Sequence, residues 1–111
     1  MIGIFDSGVG GMTVAKAIEE RCPQYPLLYF GDIARSPYGA KSREAIIECC
    51  RRNTEFLLKQ GAKIIVIACN SAAANASEYL QQTCSVPTVD VITASIEKAI
   101  SITKGNRIGM I

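Results

Sequence analysis

The chain has 111 residues, 49% of them hydrophobic and 20% charged, and its formal net charge is +2. This composition is typical of a globular domain that is long enough to bury a sizeable core. The basic residues are scattered, and no apolar run approaches the roughly 18 residues that a membrane span needs. We therefore expect no nucleic-acid binding and no membrane segment. Because no secretory signal pattern opens the chain, we expect a cytoplasmic location.

Strand and helix patterns alternate along the chain. Apolar runs predict strands over residues 2–5, 27–30, 63–68, 88–92 and 107–111. Helix patterns follow the first four strands: one from Thr13 to before Pro23, one between the cap Ser42 and the stop Gly61, and two over 71–82 and 94–102. This alternation predicts parallel βαβ units. We expect an α/β fold with a doubly wound parallel sheet, flavodoxin-like strand order and three αβα layers.

The end of the chain has the pattern of its beginning. The last five residues, RIGMI, are similar in their apolar pattern to the first five, MIGIF. This similarity indicates that a second α/β unit starts there. We therefore expect residues 1–92 to form an N-terminal α/β domain that is incomplete, and residues 93–111 to form a connecting helix and the first strand of a truncated second domain.

One of the five cysteines occupies a reactive setting. Cys69 ends the predicted buried strand 63–68 and comes directly before a helix start. The positive end of a helix dipole and its free N–H groups lower a thiol pKa there and favour the thiolate. The chain contains no histidine, which excludes Cys-His and Ser-His-Asp systems within it. The other four cysteines form no CxxC pair, so we interpret them as small buried apolar residues and expect no metal site.

Three polar segments follow the first three predicted strands: residues 6–11 (the glycine loop), 31–39 and 69–71. Ligands of open parallel sheets bind outside the carboxyl ends of the strands. If the first strand lies between the second and the third, all three segments open on one crevice. The glycine loop lacks the third glycine of a GxGxxG pattern because Thr13 stands there, and no Walker-type motif exists. It forms either a tight turn or, as we favour, part of a ligand site.

Several polar residues of these segments have two possible roles. Asp6 is the sole carboxylate predicted beside Cys69; it could raise the thiol pKa and relay a proton, or accept hydrogen bonds from glycine-loop amides. Asn70 and Ser71 offer donors that suit a carboxylate at a helix N-terminus, or they cap the helix. Tyr38 and Gly39 belong to a Pro-Tyr-Gly turn, a common kind of loop turn that by itself indicates little about function.

Taken together, three motifs in this order resemble those of glutamate racemases, within the aspartate/glutamate racemase family: IGIFDSGVGG at 2–11, YFGDIARSPYG at 29–39 and ACNSA at 68–72. Ser71 stands where many members have threonine, which keeps the hydroxyl. The resemblance implies a cofactor-independent enzyme that interconverts L- and D-glutamate and supplies D-glutamate for peptidoglycan. Full-length members of such a family are possible homodimers.

The resemblance also implies roles for single residues. Cys69 would be one of two thiol bases that act on opposite faces of the substrate Cα, and Asp6 would assist proton transfer. The residues that would hold the amino acid are Asp6, Ser7, Tyr38, Gly39, Asn70 and Ser71. The family's second cysteine lies in a second domain, so we expect this N-terminal portion not to racemise glutamate alone. The alternatives are a small-anion or nucleotide-binding module without catalysis, and a chain that folds poorly.

Overall fold

The computed structural model describes residues 1–109, in which four strands and four α-helices alternate. Two short 3₁₀ helices, Ile33–Arg35 and Tyr38–Ala40, lie between the second strand and the second helix. In chain order the elements are β1 (Ile2–Asp6), α1 (Met12–Arg21), β2 (Leu27–Gly31), α2 (Arg43–Lys59), β3 (Ile64–Ile67), α3 (Asn70–Thr83), β4 (Thr88–Asp90) and α4 (Val91–Ile102).

The four strands form one parallel sheet in the order β2-β1-β3-β4. Strand β1 lies at the centre, with Asp6 opposite Gly31 of β2 and Phe5 opposite Ile67 of β3. The predicted α/β fold with flavodoxin-like order and β1 between β2 and β3 is confirmed. The segments that follow β1, β2 and β3 therefore meet at one edge of the sheet, as the crevice hypothesis requires.

The core lies between the sheet and helices α2 and α3. Phe5, Ile65 and Ile67 are fully buried on the strands, and Leu57 of α2 packs in the same cluster. Helix α3 contributes small residues to this cluster, among them the fully buried Ala76, so its backbone lies close to its neighbours. Burial of this apolar surface stabilises the fold. The packing of α3 against the sheet also fixes the start of this helix at the edge of the sheet.

The signals that delimit α2 act as predicted. Ser42 is the N-cap, and its hydroxyl oxygen accepts a hydrogen bond from the backbone N–H of Ala45 at 3.2 Å. Gly61 follows the last turn with a φ of +93°, in the left-handed region where a glycine is favoured. These two residues fix the bounds of the longest helix.

The structure differs from the prediction near the C-terminus. Helix α4 begins at Val91 rather than at residue 94, because the carboxylate of Asp90 caps it by accepting from Thr93 N at 2.8 Å. No residue of α4 is buried, and Ile96 and Ile100 are exposed. Of the strand predicted over 107–111, residues 107–109 form none, and residues 110 and 111 lie outside the described part. The division at residue 92 stays a prediction.

Candidate active site

Two adjoining cavities open at the carboxyl edge of the sheet and share Asn70 and Ser71. The first, of about 430 Å³, is lined by Asp6, Ser7 and Cys69, and we name it the Cys69 cavity. The second, of about 790 Å³, is lined by Gly39 and by residues of α3 and α4, and we name it the Gly39 cavity. The order of the strands therefore brings the three polar segments together around one crevice.

Cys69 lies at the N-cap position of α3 with an extended backbone. The residue is 6% exposed, and its thiol donates a hydrogen bond to Ser7 Oγ at 3.4 Å. The first turn of α3 contains no acidic residue and no side chain caps it, so neither Asn70 nor Ser71 is a capping residue. The positive end of the α3 dipole thus faces the cavity without a neutralising carboxylate of its own.

Asp6 ends β1, and its carboxylate closes the glycine loop. Its Oδ2 atom accepts hydrogen bonds from Gly8 N at 3.2 Å, from Gly11 N at 3.0 Å and from the hydroxyl of Tyr29 at 3.3 Å. Asp6 therefore has the amide-accepting role considered from the sequence. It also lines the cavity that contains Cys69, so this structural role does not remove it from the site.

Tyr29 of β2 is a site residue that the sequence analysis missed. Its hydroxyl lies 3.3 Å from Asp6 Oδ2 and 3.0 Å from the carbonyl oxygen of Gly8, and shares its proton between them. Burial, followed by the negative charge of Asp6 and the hydrogen bond to it, raises the pKa of Tyr29 to about 12. The phenol is therefore protonated at neutral pH and holds the carboxylate and the loop together. No local pattern indicated this role, because the contact with Asp6 depends on the pairing of β1 with β2.

Tyr38 and Gly39 have different surroundings. The side chain of Tyr38 is buried and lines neither cavity; its hydroxyl donates to Asp32 and accepts from Asn53 Nδ2 at 2.8 Å. Burial and the hydrogen bond to Asp32 raise the pKa of Tyr38. Gly39 lines the Gly39 cavity, where a Cβ atom added to it would lie 3.6 Å from Ser71 Oγ. Tyr38 therefore contributes to the loop rather than to the cavity wall.

Helix α4 supplies a wall that the sequence did not indicate. Ile92, Ser95 and Ile96 line the Gly39 cavity together with Gly39 and Ser71. Their position depends on how α4 packs against α3, which no local pattern reveals. Within residues 1–109, no three metal-ligating side chains come together, and no helix has the length and apolarity that crossing a bilayer requires.

Comparison with known proteins identifies the family. The sequence profile described as Asp/Glu/Hydantoin racemase matches residues 10–111. The chain belongs to this racemase family. Among its racemase relatives, a glutamate racemase of Syntrophus aciditrophicus is 49% identical over 110 residues, a match that covers 99% of this chain. A glutamate racemase of Geobacter metallireducens is 48% identical over the same length.

Solved racemase structures share the fold. Glutamate racemase from Aquifex pyrophilus superposes with a TM-score of 0.92 at 43% identity, over 96% of this chain and 42% of that one. Glutamate racemase from Francisella tularensis, solved in complex with D-glutamate, superposes with a TM-score of 0.83 at 42% identity, over 91% of this chain and 39% of that one. The chain spans 41% of the length of the first two racemase relatives.

Proposed function

We propose that this chain forms the Cys69-bearing part of a cofactor-independent glutamate racemase. The full enzyme interconverts L- and D-glutamate by proton transfer at Cα between two thiols, and it supplies D-glutamate for peptidoglycan synthesis in the cytoplasm. The observation that carries the proposal is the thiol of Cys69, which lies at the uncapped start of α3 in a cavity shared with Asp6. Relatives named glutamate racemase support the choice of substrate.

The start of α3 suits an amino-acid substrate. Its free N–H groups and dipole attract the carboxylate of an amino acid, with Asn70 and Ser71 as further donors. The three hydrogen bonds to Asp6 all end on Oδ2. The second oxygen of that carboxylate is then the atom that would accept a proton or bind the substrate ammonium, while Cys69 acts on one face of Cα.

Inversion at Cα needs an acid/base group on each face, and residues 1–109 supply one. Cys50 is fully buried, and burial followed by the charges of Cys69 and Cys49 raises its pKa to about 12. Cys22 and Cys84 follow the ends of α1 and α3, at the opposite edge of the sheet from Cys69. We propose that the second thiol belongs to another part of the full-length protein, for which a homodimer is a further possibility.

A turnover assay tests this division of labour. The purified chain is incubated with L-glutamate, and inversion is followed by circular dichroism of the amino acid. We expect no racemisation, because protonation from the second face is missing. Measurable turnover that Cys69→Ala abolishes would contradict the proposal that a second thiol is needed.

The alternative of a nucleotide-binding module meets a specific obstacle. A phosphate cradle needs free glycine-loop amides, but Gly8 N and Gly11 N are already bonded to Asp6 Oδ2. The carboxylate would also repel a phosphate. Calorimetric titration separates the two functions: we expect saturable heat with D-glutamate and none with ATP or inorganic phosphate. Tight nucleotide binding without D-glutamate binding would establish the alternative.

A further inference from the structure

We propose that Asn53, in the middle of α2, is a positioning residue for the substrate site. It acts through Tyr38 on the segment of residues 32–40 (the 32–40 loop), which carries Gly39. The inference rests on the proposed function. It assigns a role to a helix residue that lines neither cavity.

The basis is a closed ring of hydrogen bonds among four side chains. Asn53 Nδ2 donates to the Tyr38 hydroxyl at 2.8 Å, and that hydroxyl donates to Asp32 Oδ2. Arg35 Nε lies 2.8 Å from Oδ2 and 3.0 Å from Oδ1 of Asp32. Arg35 Nη2 closes the ring by donating to Asn53 Oδ1 at 2.9 Å. Asn53 is thus the member from α2, and it binds both Arg35 and Tyr38 of the 32–40 loop.

Burial makes this ring act as a unit. Asn53 is 0% exposed, Tyr38 1% and Asp32 3%. A buried polar group that loses its partner cannot turn to water instead, so breaking one hydrogen bond leaves a second group unsatisfied. The two buried side chains of the 32–40 loop, Asp32 and Tyr38, are therefore held in one arrangement against α2 as long as Asn53 is present, whereas the half-buried Arg35 also reaches water.

The ring determines where Gly39 lies. Gly39 follows Tyr38 directly and lines the Gly39 cavity beside Ser71, since a Cβ added to Gly39 would lie 3.6 Å from Ser71 Oγ. At its start, the 32–40 loop is also tied to the site, because Asp32 N donates to the carbonyl oxygen of Asp6 at 2.9 Å. A side chain that fixes Tyr38 thereby fixes the part of the cavity wall that Gly39 forms beside α3.

The test compares variants by NMR titration of D-glutamate at a temperature at which all of them are folded. Asn53→Leu keeps the branched shape and the number of side-chain heavy atoms and removes both hydrogen bonds of the amide. We expect roughly tenfold weaker binding, the effect of one misplaced contact, together with a shifted Gly39 amide signal. The control is Leu80→Ala near the C-terminal end of α3, a core residue that lines neither cavity and lies on a different helix from Asn53. It should lower the melting temperature and leave both the affinity and the Gly39 signal unchanged.

A second variant keeps the test decisive if Asn53→Leu does not fold. Tyr38→Phe removes only the shared hydroxyl, and we expect it to weaken binding to a similar degree. The double variant that combines Asn53→Leu and Tyr38→Phe should bind D-glutamate no more weakly than the weaker-binding single variant, since both changes break the same ring. Unchanged affinity in the folded single variants would overturn the positioning role alone. Absence of saturable D-glutamate binding by the wild-type chain would overturn the proposed function, and this inference with it.

Discussion

Replacing Gly11 by alanine tests the geometry of the glycine loop. An added Cβ would lie 2.8 Å from Ala68 Cβ and 2.9 Å from Asp6 Cβ. Both of these atoms are fixed by the sheet backbone, because Asp6 ends β1 and Ala68 comes directly after β3. Relief of this contact moves Gly11 N away from Asp6 Oδ2, its acceptor at 3.0 Å. Overpacking costs about 1–3 kcal/mol and a lost hydrogen bond to a charged group about 1.5–3 kcal/mol. Because the two effects overlap, we expect Gly11→Ala to lower the free energy of unfolding by about 2–4 kcal/mol.

The matched control is Gly8→Ala in the same loop. A Cβ at Gly8 meets no atom within 4 Å, and its φ is outside the left-handed region. The free energy of unfolding of the Gly8→Ala variant should be unchanged or higher by about 0.4–1 kcal/mol, because alanine lowers the entropy of the unfolded chain. Denaturant unfolding followed by circular dichroism measures both variants, and each kcal/mol corresponds to roughly 4–8 °C in melting temperature. Equal stability of Gly11→Ala and Gly8→Ala would refute the packing argument.

Three further predictions concern stability and thiol reactivity. Burial alone would raise the pKa of Asp90, but hydrogen bonds from Thr93 and Ser77 outweigh it and hold the pKa below the ordinary value of an aspartate. The cap is therefore fully effective at neutral pH, and Asp90→Ala should lower the free energy of unfolding by about 1–2 kcal/mol at pH 7, with the difference from wild type shrinking as acid protonates the carboxylate. Thr54→Val should be neutral or stabilising in urea denaturation, because the buried Oγ1 of Thr54 has no hydrogen-bond partner among the described residues; a loss above about 1 kcal/mol would contradict this. Cys50 is fully buried and its pKa is raised to about 12, so it should resist iodoacetamide at pH 8 in the native chain and react in urea. Mass spectrometry measures the labelling, and rapid labelling of Cys50 in the native chain would contradict its burial.

Much of the fold could be predicted because its signals are local. Apolar runs, the cap at Ser42 and the left-handed Gly61 each act within a few residues of the chain, and the structure places them as expected. The predicted start of α4 is wrong because Asp90 ends a strand of only three residues, which is too short for a clear pattern. A capping carboxylate three residues before Thr93 was the signal available.

Local sequence signals likewise predict one part of the candidate site and not the other. Cys69 and Ser71 were found because a strand end and a helix start are adjacent in sequence. The surroundings of Tyr38 could not be predicted, since they depend on Asn53, fifteen positions further along the chain and on another element. The hydrogen bond between Tyr29 and Asp6 likewise depends on the pairing of β1 with β2. Contacts between elements decided these roles, and the sequence left them open.

The most direct test of the central claim is protection of Cys69 by the substrate. The native chain is treated with iodoacetamide at increasing D-glutamate concentration, and the labelling of each thiol is measured by mass spectrometry. Cys22 and Cys84, half-buried and remote from the cavities, serve as controls in the same sample. The account predicts that D-glutamate slows labelling of Cys69 in a saturable way and leaves the two controls unchanged. Labelling of Cys69 that saturating D-glutamate does not alter would contradict the assignment of this thiol to the substrate site.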